Sequence, residues 1–368
     1  VWGGLSRRGV IFAMGGESVY TGHGGNVVGV CEELGWDPAT VLDCSASLNP
    51  FGPPSDVRRL LSDALPSVAV YPDLECRVLR RAVADVHGVS PSSVLIGNGS
   101  TEFIFLLPRV FRPRTVLITP PTYRDYYEAA NGVGASVVSV EVVGRDSFCV
   151  SADLAFLCNP NNPTGIAVDA DLIRRITARY PSTLFIVDEA YVELADDPSG
   201  YSLLSGRVPD NVVVLRTWTK TFAVPGLRLG YAIGVPAVIT QIERLKEPWT
   251  VNGPALAVGP SFLERDEFVR DSARALRHAR ASLVEDLGTI AGLSPMSSQS
   301  NFLLIRLAEP LNADSLRDRL LRDRILIRSC ADFAGLGSGY VRVAVRTVEE
   351  NRRLVAGLAS AVKEIACV

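Results

Sequence analysis

VVVLRTWTKTFAVPGLRLGY, residues 212–231, is where the reading starts. Four apolar residues lead into Arg216-Thr217, then Thr219-Lys220, a Pro225-Gly226 turn, Arg228 and a second short apolar run from Gly230. A buried strand, a tight reversal and another strand account for that pattern. Lys220 follows the strand with hydroxyls at Thr217 and Thr219 and a guanidinium at Arg228. Nearby cations ease the loss of an amine's proton and make it a nucleophile. Lysine is also scarce here: of 37 basic residues only Lys220, Lys246 and Lys363 are lysine. Lys246 lies in the amphipathic pattern QIERLKEP and Lys363 in the terminal helical pattern, so both read as solvated.

Working outward, short apolar runs ending in Gly, Pro, Asn or Asp alternate with helical patterns from about residue 57 to 235. The runs are SVLIGNG, TVLITPP, ASVVSVEVV, LAFLCNP, TLFIVDEAY, NVVVLRTWT and GYAIG. They predict an α/β fold with a mostly parallel seven-stranded sheet between helices. Beyond residue 255 come a long helical stretch, NFLLIRL, another helix, ILIRSC, YVRVAVR and a last helix, which predict a smaller α+β unit with its own sheet. The expected division is an arm over residues 1–55 packing on the smaller unit, a large domain over 56–255 and a small domain over 256–368.

Composition excludes several classes. With 47% hydrophobic and 21% charged residues the chain can bury a core, so general disorder is excluded. A net charge of -3 leaves no broad basic footprint for nucleic acid. No run reaches the ~18 apolar residues of a membrane span. Seven cysteines without a C-x-x-C motif suit free thiols in a reducing compartment, and a cytoplasmic location is expected. No metal site is expected. Ser6-Arg7-Arg8 before GVIFAMGG faintly resembles an export signal, but the apolar stretch is short and no A-x-A follows. Met14 is a candidate working start, with Val1 to Ala13 an extension outside the fold.

Ligand sites in such sheets lie at the carboxyl ends of strands. LIGNGST places Ser100 and Thr101 at a helix start, which is an anion site or an ordinary capped helix. TPPTY places Tyr123 on a stiff turn, where it either stacks on a planar ligand or packs at the surface. NPNNPTG places Asn162 in a loop that turn chemistry alone also explains. IVDEAY places Asp188 at a buried strand end, with Tyr191 three residues on. The aspartate meets a cation there or caps a helix. Read together, these supply an anion cradle, a stacking ring, a carboxylate for a ring N–H, donors for a phenolic oxygen and an amine. Pyridoxal 5'-phosphate requires that set.

The strings NPNNPTG, IVDEAY and TWTK…GLRLGY resemble fold-type I pyridoxal-phosphate enzymes of the class I/II aminotransferase group. The resemblance covers nearly the whole chain after Met14. It implies that Lys220 joins the cofactor aldehyde, that Asp188 pairs the pyridine nitrogen, and that Tyr191 and Asn162 bond the 3'-oxygen. Tyr123 would stack on the ring, and Ser100, Thr101, Thr217, Thr219 and Arg228 would hold the phosphate. Tyr71, in YPD, would reach the neighbouring subunit's cofactor phosphate, which implies a homodimer. Arg342, in YVRVAVR, matches the substrate-carboxylate arginine.

Two subfamilies fit. TGHGGN (21–26), DCSASLNPFGPP (43–54), EPWTVN (247–252) and ILIRSCADF (325–333) are similar to threonine-phosphate decarboxylases of cobalamin biosynthesis. Histidinol-phosphate aminotransferases share the cofactor motifs and the compact size, and are the alternative. The resemblance implies a small phosphorylated amino acid as substrate, with His23, Gly24, Asn26, Asn49 and Arg328 lining its pocket. HGGN as a flexible loop and Arg328 as a surface cation are the plainer readings. GNGST departs from related decarboxylases, which often carry an acidic residue before the threonine.

Overall fold

The computed structural model describes residues 24–140 and 152–366. His23 and the proposed extension before Met14 lie outside them, as does the end of the ASVVSVEVV run.

Seven strands form the large sheet. Their spatial order is Val94–Gly97, Gly230–Ile233, Val212–Thr217, Leu184–Asp188, Leu154–Cys158, Thr115–Ile118 and Ser136–Ser139. Only Gly230–Ile233 runs antiparallel to its neighbours. The expected α/β sheet is therefore present. Strand alternation assigns the two faces: Val213 and Leu215 pack with Phe103, Ile104, Tyr126 and Phe156 on one side. Val212 and Val214 pack with Ile173, Phe185 and Val187 on the other. Such two-sided burial is why these runs read as continuously apolar.

Helices cover both faces. Arg77–His87 buries Leu79, Val83 and Ala84, one stripe at helical spacing. Gly253–Phe262 packs beside it, and Asn252 caps that helix by accepting the Ala255 N–H at 2.8 Å. The long helical pattern after residue 255 is two helices, Gly253–Phe262 and Asp266–Gly288.

A second, antiparallel sheet has the order Arg328–Ser329, Tyr340–Ala344, Phe302–Leu307 and Leu293–Pro295. Leu303, Ile305, Val341 and Val343 form its core with the helices Ala313–Leu321, Asp266–Gly288 and Val348–Ala366. The run ILIRSC is not one strand. Ile325–Leu326 pairs in parallel with Leu42–Asp43, and Arg328–Ser329 joins the antiparallel sheet. Segment 42–47 is thus pinned to the smaller unit: the Ala344 N–H donates to Cys44 O at 2.8 Å and Asn301 Nδ2 to Ser47 O at 3.1 Å. The GNVVGVCEEL stretch before it contains a helix, Val27–Leu34.

Among the described residues Cys31, Cys44, Cys76, Cys158 and Cys330 are free thiols. No described helix is long and apolar enough to cross a membrane.

Candidate active site

The carboxyl ends of the large sheet open on one cavity, and register decides what meets there. Cys158 lies opposite Asp188, and Thr217 opposite Gly230, which lies opposite Gly97. Strand Val212–Thr217 passes straight into the single turn Trp218–Thr221. Thr217 caps that turn, its Oγ1 accepting the Thr219 N–H at 3.3 Å, and buried Trp218 and Phe222 anchor it. Lys220 then projects into the cavity. Its side chain is partly accessible from there, yet its amine lies deep enough for burial to lower its pKa to about 8, with Arg342 and Arg228 helping and Asp188 opposing. The amine lies 6.0 Å from the Tyr191 ring centroid.

Asn49 does not line the cavity. It is buried behind the lysine turn, its N–H donating to Lys220 O at 3.0 Å and its Nδ2 to Thr221 O at 2.8 Å.

Asp188 is 4% exposed and forms no ion pair among the described residues. Burial raises its pKa to about 6 against two hydrogen bonds that favour the carboxylate. Those come from Tyr126 Oη at 2.9 Å and the Ala190 N–H at 3.1 Å. Tyr126 stacks on Phe156, with centroids 4.7 Å apart and planes within 7°. Tyr123 is half-buried and meets Tyr126 edge-on at 5.6 Å. Tyr191 is buried against Phe302, and burial pushes its hydroxyl up to about 12.

Around the start of helix Gly99–Phe111 lie Ser100, Thr101, Thr217, Thr219 and Arg228, all on the cavity wall. First-turn N–H groups of a helix have no partner within it. Gly99 has φ +70°, and a Cβ there would lie 2.9 Å from Arg228 Nη2, so a side chain would be strained and would crowd the guanidinium. Lys246 is not the solvated residue expected. It is 11% exposed and pairs with Glu102 Oε1 at 3.3 Å, while Glu102 Oε2 accepts the Asn98 N–H at 2.6 Å.

Across the cavity stand two buried arginines on neighbouring strands. Arg328 and Arg342 are direct cross-strand partners, and both line the cavity. Arg342 donates to Asn162 Oδ1 at 2.5 Å and Ser45 O at 2.8 Å, makes no ion pair among the described residues, and leaves its buried Nε unpartnered. Arg328 donates to both oxygens of Asp332, at 2.9 and 2.7 Å, over the Phe333 ring. Gly24 also lines the cavity, where a Cβ would lie 2.2 Å from Ser45 O. Asn26 is instead exposed and caps its own helix, accepting the Gly29 N–H at 3.3 Å. Tyr71 stands away from the cavity, 81% exposed and packed on Trp249.

Residues 39–358 match the family described as aminotransferase class I and II. The chain belongs to that family. The threonine-phosphate decarboxylase of Salmonella typhimurium is 35% identical over 94% of this chain and 97% of its own length. The histidinol-phosphate aminotransferase of Symbiobacterium thermophilum is 36% identical over 86% and 89% respectively. A solved structure of histidinol-phosphate aminotransferase from Sinorhizobium meliloti in complex with pyridoxal-5'-phosphate has the same fold, with TM-score 0.82 over 96% of this chain and 100% of that one at 22% identity. The chain spans 40% of one further relative, the adenosylcobalamin biosynthesis bifunctional protein CobDQ of Leptospira interrogans, at 28% identity.

This aminotransferase-family enzyme uses pyridoxal 5'-phosphate, and the cavity fits it. Asp188 is a buried carboxylate lacking a cation, Lys220 an amine whose proton is held weakly, and Gly99 keeps a helix start clear beside Arg228. Tyr126, Cys158, Ser45 and Phe333 also line the cavity and escaped the sequence reading. Tyr126 carries no distinguishing local signal in DYYEAAN, because its partner Asp188 is 62 residues away.

Proposed function

We propose that this enzyme decarboxylates L-threonine O-3-phosphate to (R)-1-amino-2-propanol O-2-phosphate, for the aminopropanol arm of cobalamin biosynthesis. The arginine pair carries the substrate class. Two guanidiniums side by side on one cavity, neither able to lose its charge, suit one substrate with two anionic groups. Histidinol phosphate has a phosphate but no carboxylate and would engage only one of them, whereas 2-oxoglutarate, the other substrate of the aminotransferase, is a dicarboxylate that would engage both. The strings TGHGGN and SLNPFGPP are what favour the decarboxylase between the two. The similarity to threonine-phosphate decarboxylase over nearly all of both chains supports the same substrate class.

In this reading Lys220 joins the cofactor aldehyde. Asp188 faces the pyridine nitrogen with Tyr126 behind it, and Tyr191 and Asn162 hold the 3'-oxygen. Tyr123 covers the ring. Ser100, Thr101, Thr217, Thr219 and Arg228 hold the cofactor phosphate. When bound, the cofactor supplies an electron-withdrawing ring that accepts the electron pair released at Cα. Arg342 would hold the substrate carboxylate and Arg328 its phosphate, which would fix rotation about Cα. Binding energy from the remote phosphate thereby selects the bond that breaks. As CO₂ leaves, Lys220 Nζ delivers a proton to Cα. Gly24 borders the substrate side, and Asn49 acts on it only by holding the lysine turn. By the resemblance His23, which lies outside the described residues, and Asn26, which caps its own helix, also belong to the substrate phosphate.

The reading keeps the division 1–55, 56–255 and 256–368. It also has Tyr71 serve the neighbouring subunit of a homodimer. Support comes from the exposure of Tyr71 beside exposed Val68, Val70 and Leu74.

The test is one purified sample of cofactor-loaded enzyme with two substrates. CO₂ released from O-phospho-L-threonine is the expected result. Glutamate formed from 2-oxoglutarate with histidinol phosphate, and no CO₂, would replace this reading with the aminotransferase.

A further inference from the structure

Behind the strand ends lies a buried ionic network whose residues do not line the cavity. Arg216 Nε donates to Glu189 Oε2 at 2.9 Å and Arg216 Nη1 to Glu193 Oε1 at 3.1 Å. Ser202 Oγ donates to Glu189 Oε2 at 2.8 Å and accepts from Arg216 Nη2 at 2.8 Å. The Leu203 N–H donates to Glu189 Oε1 at 2.7 Å, and Thr221 Oγ1 donates to Glu193 Oε2 at 2.5 Å. Side-chain exposure is 0% for Glu189, 9% for Arg216 and 24% for Glu193. All four carboxylate oxygens are satisfied.

The sequence neighbours of this network are the point. Glu189 follows Asp188, Arg216 precedes Thr217, and Thr221 follows Lys220. Two strand-end segments that carry cavity residues, 188–193 and 216–221, are therefore joined through Arg216 and Thr221 on the side away from the cavity. Buried ion networks of this kind contribute little net stability, because desolvation offsets much of their attraction, so stability alone is a weak reason for one here. Fully satisfied networks do fix geometry.

We propose that Glu193, acting through Thr221, is a positioning residue that holds the Lys220 amine at its working distance from Asp188. Asn49 grips the backbone carbonyls of the same turn, and Glu193 grips its side chain. Buried Trp218 and Phe222 anchor the turn's ends, and the Glu193 bond adds a side-chain tie at the residue next to Lys220. The inference rests on the assignment of Lys220 as the cofactor amine.

The experiment compares Glu193→Gln, Thr221→Val and Thr221→Ser in the cofactor-loaded enzyme. Its readouts are kcat and KM, thermal midpoint and the pH midpoint of the visible absorption band. Thr221→Val is expected to lower kcat about 10-fold with KM changed less than about twofold, and Thr221→Ser to restore it. Glu193→Gln loosens the turn that aims the lysine nitrogen, so kcat falls in the same sense and the pH midpoint shifts from that of the parent enzyme. Unchanged kcat and pH midpoint in both variants, with only a lower thermal midpoint, would reduce the network to a structural role and overturn the proposal. If Glu193→Gln does not fold, Thr221→Val and Thr221→Ser decide the matter. Lys220→Ala runs alongside: a cofactor adduct still trapped covalently by borohydride in that variant would sink the lysine assignment itself, whereas silent clamp variants leave that assignment standing.

Discussion

Lys220 and Asp188 lie at the carboxyl ends of the large sheet, and Arg328 and Arg342 lie on the antiparallel sheet that closes the same cavity. All four are charged groups in a site largely closed to water, but the two pairs meet burial differently. On the first side burial moves protons. It brings the amine down to about 8 and the carboxylate up to about 6, so both titrate close to neutrality. On the second side no proton can move, because a guanidinium stays charged at any accessible pH. Burial there is met by acceptors: Asn162 and the Ser45 carbonyl for Arg342, Asp332 and the Ser329 carbonyl for Arg328. Groups with adjustable charge suit a side where protons must be exchanged, and groups with fixed charge suit a side that must only grip.

Lys220→Ala should break the first side outright. The expected result is loss of the borohydride-trappable adduct and a fall in turnover of at least about 10³-fold, measured as CO₂ release. Arg328→Gln should damage the second side alone, because Arg328, unlike Arg342, is not among the charges that shift Lys220. A lost charged hydrogen bond is worth about 1.5–3 kcal/mol, so KM should rise by about 10- to 150-fold with the pH profile unmoved. A displaced pH profile in that variant would dissolve the contrast between gripping and proton exchange. Tyr126→Phe gives the smallest effect and the sharpest test of sign. Tyr126 favours the ionised form of Asp188, so removing its hydroxyl raises the aspartate's pKa further above 6. Cofactor affinity needs the carboxylate and therefore falls as pH drops through that value. In the variant the fall should begin at higher pH, with about a 2- to 10-fold loss near pH 6.5 and little change at pH 8, read as the cofactor dissociation constant across pH 5.5 to 8.

The first side was legible in the sequence and much of the second was not. Lys220 and Asp188 announce themselves because each ends a short apolar run, and local order alone places such ends together at one edge of a parallel sheet. The arginine pair depends on register between two strands fourteen positions apart, which one run of residues does not specify. ILIRSC illustrates the loss: it reads as one strand, yet the chain changes sheets at Ile327. Lys246 was misjudged as solvated for the same reason, since Glu102 is distant in sequence and the amphipathic pattern around Lys246 conceals it. Asn49 and Asn26 sit in recognisable strings, but asparagine serves equally as a ligand donor, a backbone clamp and a helix cap, and only the fold distinguishes these.

The parallel pairing of Leu42–Asp43 with Ile325–Leu326 has a practical corollary. The residues just after it present the Ser45 carbonyl to Arg342, and the residues just after its partner present Arg328. Both guanidiniums are thus aimed by the same early segment. Anyone trimming this polypeptide for crystals or for expression who cuts into positions 42–47 as a dispensable leader would blunt its ability to tell one small molecule from another, even though every residue usually credited with that choice remained in place.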